Sequence, residues 1–176
     1  MFETTPIPGL LVYTPRVFGD ERGYFLESYN ERTFAAGGID CTFVQDNQAL
    51  SGRGVLRGLH FQTGGSAQAK LVRVLAGEVF DVAVDLRPGS PTRGRWFGIH
   101  LSAANHKQLF VPRGFAHGYL VTSEEALFAY KCDNFYDPAA EGGLRYDDPA
   151  IGIEWPTVAE DFTVAARDLD WPAFAG

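Results

Sequence analysis

Cysteine is scarce. The 176-residue chain holds only Cys41 and Cys132. Two thiols so far apart make neither a disulfide framework nor the close spacing of a zinc site. They fit a reducing, cytoplasmic setting. Basic residues are also few, with 15 Lys and Arg against 22 Asp and Glu and a formal net charge of −7. The sequence pI is near 5.0. This balance excludes the broad basic surface of a nucleic-acid partner, but leaves room for a local basic pocket around a small anion. No apolar run approaches the roughly 20 residues of a membrane helix, so no membrane partner is expected. The N-terminal Met1-Phe2-Glu3-Thr4-Thr5-Pro6 has neither the basic start nor the apolar stretch of a signal peptide. Helical periodicity is rare too. Glu31–Ala36, closed by Gly37-Gly38, reads as one short helix, and Thr157–Asp168 as a further turn or two.

Strand-like runs fill the rest. Hydrophobic residues make up 45% of the chain and aromatics 14%, which favours packed β structure over disorder. Strands are predicted at Leu10–Tyr13, Tyr24–Tyr29, Cys41–Gln45, Val55–Gln62 and Lys70–Leu75. Further ones are predicted at Glu78–Leu86, Arg95–Leu101, Gln108–Val111, Gly118–Val121 and Ala126–Lys131. Ala76-Gly77 reads as a tight hairpin turn and Pro88-Gly89-Ser90-Pro91 as a loop. With no repeat or linker, residues 1–176 read as one all-β domain, a sandwich or small barrel. Alternation puts Lys70, Val72 and Val74 on one face and Leu71 and Arg73 on the other. In a regular strand Arg57 and His60 face opposite ways. A bulge at Gly58 is needed for both to meet one ligand.

The chemistry-bearing segments are Arg57-Gly58-Leu59-His60-Phe61-Gln62, Lys70-Leu71-Val72-Arg73-Val74, Gly114-Phe115-Ala116-His117-Gly118 and Tyr130. Taken singly, each has an ordinary explanation. A histidine or tyrosine fills a core, and the scattered Arg22, Arg57, Lys70 and Arg167 are solvated. Glu27 and Glu141 form no glycosidase-like pair. Together they supply a base near neutral pH, a proton donor and cations. Pro112 to His117 is similar to the second half of a cupin metal motif, but the first half is missing, with only His60-Phe61-Gln62 in its place. His100 and His106 are isolated. Hence no metal and no cofactor is expected, and a metal-dependent cupin oxygenase is a remote reading.

The ordered set of segments is far more specific than any one of them. It runs from Asp20-Glu21-Arg22-Gly23 through Phe43-Val44-Gln45-Asp46-Asn47, Arg57–Gln62, Lys70–Arg73 and Gly77–Asp85. It continues through Pro112–Gly118, Tyr130-Lys131, Tyr136-Asp137-Pro138 and Asp148–Pro156. In this order the chain resembles the dTDP-4-dehydrorhamnose 3,5-epimerase family over essentially its whole length. The resemblance implies a cupin-like jelly roll (a double-stranded β-helix) with a few short helices, a homodimer, and no required metal. It implies a dTDP-4-keto-6-deoxyhexose substrate, with His60 as base, Tyr130 as proton donor and Asp168 as the carboxylate paired with His60. The implied substrate-binding residues are Arg22, Glu27, Gln45, Asp46, Asn47, Arg57, Lys70, His117, Glu141 and Arg167, with Tyr136 stacked on thymine. Three positions depart from the family pattern. Gln48-Ala49 replaces His-Ser, Gly64-Gly65-Ser66-Ala67 replaces a proline-rich stretch, and Arg167 stands where lysine is frequent. A mono-epimerase or ketoisomerase on a related dTDP sugar remains the alternative.

The implied roles suit the chemistry. A hydrogen beside a ketone is weakly acidic, and its removal leaves charge on the ketone oxygen. A cation there, Lys70 aided by His117, stabilises the transition state more than the ground state. Inversion requires a second acid facing the base, and the diphosphate requires Arg57 and its fellow cations.

Overall fold

The computed structural model describes residues 1–159 and 161–176. Its strands in chain order are β1 (Phe2–Thr4), β2 (Leu11–Tyr13), β3 (Val17–Asp20), β4 (Gly23–Leu26), β5 (Gln45–Gly52), β6 (Val55–Gln62) and β7 (Lys70–Ala76). They continue as β8 (Glu78–Asp85), β9 (Trp96–Ser102), β10 (Gln108–Val111), β11 (Phe115–Val121), β12 (Glu125–Cys132), β13 (Glu141–Gly143) and β14 (Thr163–Val164). Two short helices accompany them, α1 (Glu31–Ala36) and α2 (Ala166–Leu169). One sheet has the order β1-β2-β10-β7-β12-β5. The second has the order β13-β6-β11-β8-β9, with β14 added to β6. The two sheets face each other in a jelly roll.

Side-chain alternation builds the interior. Val72, Val74, Leu109 and Phe128 from the first sheet meet Val79, Ala83, Phe115 and Val121 from the second. Leu71 points to the other side of its sheet, where it joins Tyr13, Phe34 and Phe110. This is the alternation expected for Lys70–Val74. Helix α1 covers that outer side. The Asn30 carboxamide accepts from the backbone N–H groups of Arg32 and Thr33 at 3.0 and 3.3 Å, capping the helix, and Phe34 is its buried residue.

Three expectations are corrected. Ala76-Gly77 is not a hairpin turn. Strand β7 pairs with β10 and β12, whereas β8 pairs with β9 and β11, so the turn carries the chain from one sheet to the other. Gly77 has φ +75°, and a Cβ there would stand 2.0 Å from the Glu125 carbonyl oxygen. The strand expected at Cys41–Gln45 begins only at Gln45 and runs on to Gly52, because its partner is the whole of β12. Of Thr157–Asp168, the described part is mostly extended. It includes β14, parallel to β6, and only Ala166–Leu169 is helical; Glu160 lies outside the described residues.

The strands expected at Val55–Gln62 and Gln108–Val111 occur with those bounds. So does the bulge at Gly58. On β11, His117 pairs with His60 and Tyr119 with Arg57, so three steps along β6 match two along β11. The extra residue turns Arg57 and His60 to the same side.

The loop after β8 is tied to one buried carboxylate. Asp85 accepts from Arg87 Nε and Nη2 at 2.9 and 2.7 Å, and from the hydroxyls of Ser90 and Thr92 at 2.6 Å each. Burial would raise its pKa, but these donors outweigh burial and hold it well below the usual carboxylate range. The sign follows from linkage. A depressed folded pKa stabilises the fold above the unfolded value, near 3.9, and that stability is lost as pH falls towards the folded pKa. Asp85→Asn should therefore cost about 3 kcal/mol at pH 7. Urea denaturation at pH 7 and pH 3 should show the gap between parent and variant narrowing in acid.

Candidate active site

A cavity of about 470 Å³ opens between the two sheets, lined by Arg57, His60, Lys70, His117, Tyr119, Phe128, Tyr130, Arg167 and Asp168. A second space of about 310 Å³ forms its mouth. His60, Lys70, Tyr130 and Arg167 line both, and Gln45, Asn47, Tyr136 and Glu141 line the mouth alone. His60 and His117 come from β6 and β11 of one sheet, Lys70 and Tyr130 from β7 and β12 of the other. His60 and Tyr130 thus reach the same cavity from opposite walls.

The His60 ring is partly buried, and its Nε2 lies 2.7 Å from Asp168 Oδ1. With Nε2–H donated to the carboxylate, Nδ1 carries the basic lone pair. Asp168 is 2% exposed and also accepts from the backbone N–H of Gly58 at 3.4 Å. Burial pushes the His60 pKa down, Asp168 pulls it back up, and Lys70 and Arg167 add to the lowering. Below its ordinary value, His60 is neutral and basic at pH 7. Tyr130 behaves oppositely. Burial pushes its phenol up to about 12, so it keeps its proton and can give it. Lys70 stands beside both, its Nζ 3.5 Å from the His60 carbonyl oxygen. Burial lowers the Lys70 pKa, with Cys132, Asp81 and Glu141 opposing the shift.

His117 is buried and its Nε2 lies 3.0 Å from both oxygens of the fully buried Asp81. Arg57 Nε donates to Ser51 Oγ at 3.0 Å. At the mouth, Tyr136 donates from its hydroxyl to Glu141 Oε2 at 3.1 Å, and Arg167 donates to the same oxygen at 3.3 Å. Gln45 accepts from the Tyr136 backbone N–H at 2.9 Å and donates to Asn47 at 3.0 Å. No group of three His, Cys, Asp or Glu side chains among the described residues is arranged to hold a metal ion.

Three of the residues expected at the site lie elsewhere. Asp46 is on the outward face of β5 and pairs with Lys131 at 3.0 Å. Arg22, at the tip of the β3–β4 hairpin, pairs with Asp20 at 2.5 Å. Glu27, just past that hairpin, accepts from Asn30. The reading of the sequence missed Asp81, Ser51, Tyr119, Phe128 and Trp171. Asp81 had a signal, being an acid inside the apolar run Val79–Val84, where a charge needs a partner. The others look like ordinary strand or tail residues.

The His60–Asp168 contact carries a direct expectation. Asp168→Asn removes the anion that favours the imidazolium, so the His60 pKa should fall further below its ordinary value. Titration of the His60 ring by ¹⁵N NMR measures this. An upward move would mean that Asp168 does not hold the charged form.

Comparison with known proteins agrees with this geometry. The family described as dTDP-4-dehydrorhamnose 3,5-epimerase matches residues 4–176. The dTDP-4-dehydrorhamnose 3,5-epimerase of Salmonella typhimurium is 58% identical over 153 residues, 86% of this chain and 84% of that protein. The crystal structure of the Elizabethkingia anophelis 3,5-epimerase superposes with a TM-score of 0.93 at 49% identity, covering 99% of this chain and 96% of that one. A Legionella pneumophila dTDP-6-deoxy-D-glucose-3,5-epimerase, in complex with dTDP-4-keto-L-rhamnose, gives 0.92 at 48% identity over 96% and 89% of the two chains. With a family match over nearly its whole length, and relatives this similar, the chain belongs to the dTDP-4-dehydrorhamnose 3,5-epimerase family.

Proposed function

We propose that this protein converts dTDP-4-dehydro-6-deoxy-D-glucose to dTDP-4-dehydro-L-rhamnose by inverting C3 and C5. The observation that carries the reading is that a neutral, partly buried histidine and a protonated, partly buried tyrosine line one cavity from opposite walls, with Lys70 in the same lining. His60 Nδ1 takes the proton from the carbon beside the C4 ketone. The electron pair moves onto the ketone oxygen, where Lys70 and His117 stabilise the enolate. Asp168 holds the imidazolium. The enolate then collapses and its carbon takes the Tyr130 proton from the other face. The C4 ketone acidifies C3 and C5 alike, so the same pair serves both centres once the imidazolium has released its proton to solvent, the Tyr130 phenolate has regained one from solvent, and the ring has shifted. Arg57 and Arg167 bind the diphosphate, Tyr136 stacks on thymine, and Gln45, Asn47 and Glu141 orient the mouth. Residues 1–176 act as one domain in a cytoplasmic setting, consistent with two free cysteines. No helix among the described residues is long and apolar enough to cross a membrane.

We infer further that the working form is a homodimer. The β3–β4 hairpin exposes Phe18, Tyr24 and Phe25 at 49, 63 and 70%, an apolar surface that asks for cover. Arg22 and Glu27, implied as substrate-binding by the family resemblance, lie on or next to this arm, outside their own protomer's cavity. An arm laid against the partner would carry both to the partner's site. Sedimentation should give a dimer, and Phe25→Asp should yield monomers with weaker dTDP affinity. A parent protein that sediments as a monomer yet turns over fully removes this part of the reading.

Turnover in deuterated water, followed by NMR, tests the reaction. Deuterium should enter both C3 and C5; entry at one carbon alone identifies a mono-epimerase. Tyr130→Phe should still exchange hydrogen through His60, while net inversion falls about 10²–10⁴-fold. If exchange and inversion fall together, Tyr130 acts in forming the enolate instead.

A further inference from the structure

The tail after α2 places one more group on the catalytic carboxylate. The Trp171 indole Nε1 donates to Asp168 Oδ1 at 3.3 Å, the same oxygen that lies 2.7 Å from His60 Nε2. The indole also stands edge-on to the His60 ring, with centroids 6.3 Å apart at 70°. Its place is prepared by a glycine. Gly143 on β13 is the cross-strand partner of His60, and a Cβ there would stand 2.3–2.5 Å from three indole atoms. The neighbouring strand therefore leaves a gap beside His60, and the indole fills it.

We propose that Trp171 is a positioning residue, the third member of the His60–Asp168 pair, whose indole N–H fixes the carboxylate beneath the imidazole and shares its lone pairs. Asp168 then takes donors from three directions, the Gly58 backbone, His60 and Trp171, with Arg167 Nε at 3.6 Å. A carboxylate that already accepts from an indole is a weaker partner for a second proton on His60. Trp171 thus keeps His60 neutral without touching substrate. This rests on the reading of His60 as the base.

The groups that face His60 fix the sign of the test. From α2 come Asp168 and Arg167, from β7 Lys70, from β11 His117, from β12 Tyr130 and from β13 Glu141. Trp171→Phe keeps the aromatic cover and changes none of these charges. It removes one donor from Asp168, which then favours the imidazolium more, so His60 protonates at higher pH. The experiment is the pH profile of kcat/KM for parent, Trp171→Phe and Trp171→Ala, with dTDP affinity and circular dichroism as controls for folding.

The acid limb of Trp171→Phe should move to higher pH, with kcat/KM on that limb lower by about threefold or more. The His60 ring, followed by ¹⁵N NMR, should titrate with the same upward displacement. Gly143→Ala, which displaces the indole, should give a similar profile. A Trp171→Phe limb that overlays the parent overturns the proposal. So does a displacement seen in Trp171→Ala alone, because it assigns the effect to lost cover rather than to the N–H. A parent enzyme that leaves dTDP-4-dehydro-6-deoxy-D-glucose unchanged overturns the epimerase reading itself, and is read separately.

Discussion

In a regular β-strand, residues three apart point to opposite sides of the sheet, so Arg57 and His60 could not serve one ligand. The extra residue at Gly58 removes that constraint, and most of the site depends on it. Gly58 has φ +131°, and a Cβ there would stand 2.6 Å from the Gly118 Cα on β11. Only a residue without a side chain lets β6 twist there while its neighbour lies so close. Three consequences follow. Arg57 and His60 turn inward, Leu59 and Phe61 turn outward into a cluster with Leu144 and Ile151, and the Gly58 N–H faces Asp168.

Burial does the electrostatic work. The same removal from water lowers the pKa of His60 and raises that of Tyr130, because each is driven towards its neutral form. For His60 the neutral form is the base, and for Tyr130 it is the acid. One partly buried cavity thus favours both halves of the proposed proton-transfer pair. The acidic total charge of the chain has little bearing here. What matters locally is that Arg57, Lys70 and Arg167 line a space whose one acid among the described residues, Asp168, is already engaged by His60, while Asp81 lies buried behind His117.

The tail and the mouth complete the arrangement from distant parts of the sequence. Thr163–Val164 adds in parallel to the start of β6, and the turn of helix after it brings Asp168 beneath His60, 108 residues away along the chain. The mouth joins Gln45 of β5, Tyr136 of the loop after β12, Glu141 of β13 and Arg167 of α2. Each is held by hydrogen bonds to another of the set or by ion pairing.

By itself, the sequence determined the all-β character, the inward set of β7, the limits of β6, β10 and α1, and the need for a bulge at Gly58. These follow from alternation, from capping and from glycine, which act over a few residues. The ordered motifs also carried the family, and they named most of the residues that line the candidate site, including His60, Lys70, Tyr130 and Asp168. Only the tertiary structure decided which strands share a sheet. Ala76-Gly77 has the local character of a hairpin, yet both edges of β7 and of β8 are taken by other strands. It also decided that Asn47 faces the cavity while its neighbour Asp46 faces away, since the pairing register of β5 with β12 sets the phase of alternation. And it put Asp81 under His117 and Trp171 on Asp168. Asp81 and His117 are 36 positions apart, and the indole, though only three residues from Asp168, is seated by the gap that Gly143 leaves on a distant strand, so no local pattern records either contact.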